Sequence, residues 1–187
     1  MLSSFWKSFV VALILTPISL PVAAEQPTRF QIPGTSLRGS PYSRRPLTRS
    51  SGYIFAGTVK SVQRSALKGN RVATVLINFY VDQGMRGVRT GQTLAIREWA
   101  GLWEAGERYR PGERVLLFLY PPSKLGLTSP VGGPTGRFRI GPDGQVVLDP
   151  GRIGFLSPRA NIADRLRGRT RVSPVEFVRF LRMAEEE

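Results

Sequence analysis

From residue 53 onward, apolar and polar positions alternate over short runs, the period expected of strands with one buried face. "YIFAGTVKSV" (53–62) predicts the first strand, and Gly57 in its middle predicts a bulge or bend. A turn at "LKGN" (67–70) leads into "RVATVLINFYVD" (71–82). There Val75, Ile77, Phe79 and Val81 share one face, while Thr74, Leu76, Asn78 and Tyr80 share the other. "QTLAIREW" (92–99) predicts a third strand, with Thr93 and Arg97 off the Leu94/Ile96 face. "ERVLLFLY" (113–120) is almost unbroken apolar sequence, as the most buried strand of a sheet should be. "GRFRIGPDGQVVL" (136–148) predicts a hairpin that turns at Pro142-Asp143-Gly144.

The period changes to that of a helix near the C-terminus. Ser173 and Glu176 fit a capping box, Pro174 the first helical position, and Val172 a staple onto Phe177. Phe177, Phe180, Leu181 and Ala184 then form one apolar stripe, which predicts an amphipathic helix packed on the β domain. Glu185 to Glu187 put negative charge at the helix's unfavourable end, so its last turn is expected to fray.

Strands joined by turns, with no helices alternating between them, predict a mainly β fold. Five to six strands in residues 52–150 fit a small antiparallel barrel of OB type, with a β-sandwich as the alternative. Residues 151–187 are a basic connector followed by the C-terminal helix. Residues 25–51, with Arg29, Arg38, Arg44, Arg45 and Arg49 among Pro, Ser and Gly, read as a flexible basic arm.

Residues 1–24 carry the marks of a secretory signal: Lys7, the apolar run from Phe9 to Leu15, breaks at Pro17 and Pro21, and small residues at Val22-Ala23-Ala24. Cleavage near Ala24 and export to the periplasm or medium are expected, with no integral membrane segment in the mature chain.

The 187-residue chain has no cysteine and no histidine. Disulfides, thiolate catalysis and cysteine-ligated metals are thereby excluded, and the side chain best suited to proton shuttling near neutral pH is missing. Neither a metal nor another cofactor is expected. The formal net charge is +14, and 23 of the 27 basic residues are arginine. Attraction to polyanions and a compositional preference for arginine both account for that charge.

Three short motifs lose their chemistry in context. "GLTSPVGGPTGRF" (126–138) resembles a phosphate cradle in composition alone. No lysine follows the glycines and the next element is a strand, so no helix N-terminus faces a phosphate, and no nucleotide cofactor is expected. Ser65 to Lys68 matches S-x-x-K, but it precedes a turn instead of opening a buried helix. Glu98, Glu104, Glu107 and Glu113 are the only concentrated carboxylates that could form a hydrolase dyad. Arg97, Arg108, Arg110 and Arg114 lie among them, and surface ion pairing is the simpler reading.

"REWAGLWEAGERYR" (97–110) is the most distinctive segment. Trp99, Trp103 and Tyr109 alternate with Arg97, Arg108 and Arg110, a mixture able to stack bases or sugars and neutralise charge; Arg137 and Arg139 extend it. A lid over the end of the barrel is the other reading of the same residues.

"FAGTV" (55–59), "INFYVDQGMRG" (77–87) and "GERVLLFL" (112–119) resemble the OB-type domains of the netrin-like class, which includes the tissue inhibitors of metalloproteinases. The likeness covers about half the chain. It implies a barrel and a binding role; inhibition through an N-terminal cysteine is closed to a chain without cysteine, and no functional residue is carried over. The expectation is an exported, non-enzymatic module that engages another protein. A binder of anionic polymer, nucleic acid or acidic glycan, is the first alternative, and a hydrolase the second.

Overall fold

The computed structural model describes residues 46–65, 73–106, 108–149, 151, 166 and 168–186. The proposed signal, and the arm up to residue 45, lie outside them, as do the 66–72 turn and the connector at 152–165.

The protein is mainly β. Five strands form one antiparallel sheet: β1 (Tyr53–Ser65), β2 (Thr74–Arg86), β3 (Thr93–Trp99), β4 (Arg114–Leu119) and β5 (Arg137–Arg139). Their spatial order is β3-β2-β1-β4-β5. Read from the fourth strand this is 4-1-2-3, a Greek key, with β5 added outside β4. Among the described residues no ladder joins β3 to β5, so the sheet is open there. Two short strands, β6 (Val146–Val147) and β7 (Arg171–Val172), form a second sheet.

β1 is the hinge of this arrangement, pairing with β2 on one side and β4 on the other. Its register against β2 shifts at three places, one of them between Ala56 and Gly57. A Cβ on Gly57 would lie 2.8 Å from the Tyr80 carbonyl oxygen, so the bend expected at this glycine is a close approach of two backbones. Ser65 is the last residue of β1 and pairs with Thr74, which leaves the S-x-x-K serine on a strand end.

β1 from Ile54 to Gly57, and β4, are buried on both faces, which is why Val115 to Leu119 contain no polar break. One face joins Phe55, Val59, Ile77, Phe79, Ile96 and Leu117 in a core closed by Trp103 and Tyr109. That core thus draws on four neighbouring strands, β3-β2-β1-β4. The opposite face of β1 and β4 packs Ile54, Ala56, Leu116 and Phe118 against Phe138, Val172 and the C-terminal helix. Phe138 links the layers, 5.9 Å from the Phe118 ring and 4.8 Å from that of Phe177, both edge-on.

The α-helices among the described residues include α1 (Leu47–Ser50), α2 (Ala100–Ala105) and α3 (Pro174–Glu186). α1 belongs to the folded unit, because Leu47 and Thr48 are buried, so Leu47 to Ser50 are not part of a flexible arm. At the start of α3 the Glu176 amide donates to Ser173 Oγ at 3.3 Å, as the cap predicts. The expected 136–148 hairpin narrows to a single bridge, Ile140 with Val146, after which β6 turns away to pair with β7. No helix among the described residues is long and apolar enough to cross a membrane.

Candidate functional site

β3 separates two environments by strand alternation alone. Thr93, Ala95, Arg97 and Trp99 face outward, while Leu94, Ile96 and Glu98 face the core. The inward carboxylate is the surprise. Glu98 is only 4% exposed, not a surface ion-pairing residue as its neighbours suggest. Tyr109 donates its hydroxyl to Glu98 Oε1 at 3.2 Å. The Arg137 guanidinium stacks 4.2 Å over the Tyr109 ring, and its terminal nitrogen donates to Glu113 Oε1 at 2.7 Å. Glu113 also accepts from the Arg110 amide.

Burial raises the Glu98 carboxyl to about 7, against the lowering effects of the Tyr109 hydrogen bond and the Arg137 charge. Burial, reinforced by Glu98, pushes the Tyr109 hydroxyl well above its usual range. A carboxyl near 7 has the proton affinity of a general acid or base, but catalysis requires contact with substrate. Tyr109, which holds this group, is itself packed edge-on against the Phe79 ring and beside Trp103, inside the core. The cluster is a polar plug at one end of the core.

Trp103, Tyr109 and Arg137 are therefore inside the molecule, in keeping with the lid reading of residues 97–110. Their spacing along the chain resembles a stacking surface because α2 reverses the chain after Trp99 and turns Trp103 back over the core. Arg97, Arg108, Arg110, Arg139 and Trp99 remain exposed. They come from three places in the fold: Arg97 and Trp99 share the outer face of β3, Arg108 and Arg110 flank Tyr109, and Arg139 lies on β5.

Trp99 is the accessible aromatic of the segment, 49% exposed where β3 enters α2. Its ring lies against Gly101; a Cβ there would come within 2.6 Å of the indole. One ring face is thus backed by main chain. Beyond the ring opens a hollow of about 260 Å³, lined by Trp99, Leu102, Tyr120, Pro121, Leu127 and Thr128, with Ser123 and Ser129. The far wall is the loop after β4, which includes the start of the glycine-rich stretch. That loop is pinned: the Thr128 amide donates to the Arg97 carbonyl at 2.9 Å, and Thr128 Oγ1 donates to the Tyr120 carbonyl at 2.6 Å. Leu125 stands at its tip, 74% exposed.

Sequence reasoning finds Trp99 and misses the rest of the lining. The available signal is the exposed Leu102 and the Gly101 between two tryptophans; the loop wall carries none, since only the fold brings Thr128 to Arg97. Among the described residues no group of Asp or Glu side chains is arranged to hold a metal ion. Set against protein-family models, curated proteins and solved structures, the chain matches none of them.

Proposed function

We propose that this chain is a non-enzymatic binding module, acting outside the cytoplasm after loss of residues 1–24, and that it docks another protein over the Trp99 hollow. The observation that carries the reading is an exposed indole held flat on Gly101, sharing a hollow with exposed Leu102 and the apolar side of Leu127. Rigid, half-exposed aromatic side chains surrounded by apolar neighbours are what binding hot spots are made of. Size argues in the same direction. A hollow of about 260 Å³ is smaller than the roughly 300–1,000 Å³ of small-molecule sites, and suits one or two anchoring side chains. The netrin-like resemblance favours a binding role over catalysis.

The test is a photo-crosslinking residue placed at Leu102 or, as a control, at Val175, an exposed position on α3. In cells that make the protein, a discrete protein adduct from position 102 and none from 175 is expected. Equal adducts from both positions, or adducts sensitive to nuclease or glycosidase only, would sink the reading.

A further inference from the structure

We infer that the occupant of the Trp99 hollow is a proline-rich segment of the partner in polyproline II conformation, with an acidic residue beside the prolines. This rests on the docking reading above and specifies its chemistry.

Three peptide shapes could meet the site, and the geometry separates them. Addition of a strand needs the open backbone of an edge strand. β3 is an edge strand, but at the hollow its Arg97 carbonyl already accepts the Thr128 amide, so the loop stands where an added strand would pair. A docked helix satisfies its own backbone and needs a long apolar groove for anchors at i, i+3, i+4 and i+7. Here the apolar wall is short, and the Ser123, Thr128 and Ser129 hydroxyls interrupt it. A polyproline II segment is the remaining shape. Its carbonyls point outward with no internal hydrogen bonds and need donors, while its rings pack on aromatic faces. The lining offers both: the aromatic side chains of Trp99 and Tyr120 beside Pro121, and the indole N–H with the Ser123 and Ser129 hydroxyls as donors, that of Thr128 being taken by the Tyr120 carbonyl.

Charge selects the flanking residue. None of the eight lining side chains is charged. Exposed Arg97 lies two residues from Trp99 on the same strand face, and exposed Lys124 stands in the loop wall. Carboxylates next to the prolines would meet cations on both sides.

The experiment is an NMR titration of the full chain, following the Trp99 indole and Leu102 methyl signals. Three synthetic peptides of equal length are compared: prolines flanked by glutamates, prolines flanked by lysines, and a glutamate-bearing amphipathic leucine helix. The acidic proline peptide should move both signals, and the lysine version should bind about 5-fold more weakly, the scale of exposed ion pairs. Trp99→Ala should abolish the shift of the Leu102 methyls. Leu102→Asp, at an already exposed position, is read at the Trp99 indole, whose shift it should abolish, and guards against a folding defect in the first variant. Stronger shifts with the helix than with the proline peptide overturn the inference and leave the docking reading intact. No shift with any peptide also overturns it, and the Leu102 crosslink then decides the docking reading separately.

Discussion

Glu98 and Trp99 are adjacent in sequence and opposite in consequence. The carboxyl of Glu98 is raised to about 7 by burial, from an ordinary value of 4.5. As pH rises through that interval, the unfolded chain loses its proton first, so the folded state binds more protons and stability falls. Stability from this group is complete below about 4.5 and gone above about 7, a difference of about 3 kcal/mol at most. Glu98→Gln keeps an acceptor for Tyr109 and removes the titration. Urea midpoints measured from pH 4.5 to 8 should fall for the wild type, and the contribution of this group to that fall should vanish in the variant. A fall of equal size in both would show that Glu98 is not the group responsible. Next to it, Trp99 depends on the missing side chain of Gly101. Gly101→Ala should displace the indole and lower the Leu102 crosslink yield about fivefold, or roughly 1 kcal/mol of docking. Stability should barely change, since alanine in a helix regains about 0.5–1 kcal/mol over glycine. A large loss of stability in that variant would mean the ring contact belongs to the core and not to a surface.

At the scale of elements, the ends of α1 and α3 explain each other. The last turn of α3, expected to fray under its own carboxylates, is held from outside: the Thr48 and Arg49 amides donate to the Glu185 carboxylate at 2.8 and 3.1 Å, and the Thr48 hydroxyl donates to it as well. An anion at a helix start satisfies amides that have no partner within the helix. Here the anion comes from 137 residues away in sequence. Glu185→Ala should cost about 1–2 kcal/mol, as loss of a helix cap does, seen as a lower urea midpoint; Glu186→Ala, at the exposed neighbour, should cost almost nothing. The same contrast sets what the sequence could reveal. Strand alternation in 74–81 and the two-sided run in 115–119 are local consequences of burial and could be read directly. The Glu185 clasp, the turn of β6 toward β7 and the loop wall at Thr128 are long-range pairings, and no local pattern encodes them. Glu98 was misleading for a related reason: a carboxylate among arginines looks like surface, and only the inward phase of β3 places it in the core.

At the scale of the whole molecule, the question is whether a charge of +14 marks a ligand or a background. Several cations are already engaged. Arg137 is buried on Glu113, Arg169 pairs with Glu176 at 2.7 Å, Arg171 with Asp143 at 2.6 Å, and Arg114 approaches Asp82. Those left exposed lie on separate strands and loops, and Lys60 lies over the Tyr80 ring, 5.8 Å from its centroid. A dispersed field attracts polyanions at low ionic strength and is screened within about 8 Å at physiological salt. Binding to heparin and to single-stranded DNA should therefore appear at low salt, vanish near physiological salt, and show no loss on Trp99→Ala. Trp103→Ala, by contrast, should cost about 3–5 kcal/mol of stability, because it empties the end of a packed core. Stacking on a built nucleic-acid surface contributes about 1–3 kcal/mol per base and outlasts that change in salt. Polymer binding that persists and requires Trp99 would thus move the ligand of this face from a protein to an anionic chain, with Arg97 beside the indole as its charge contact.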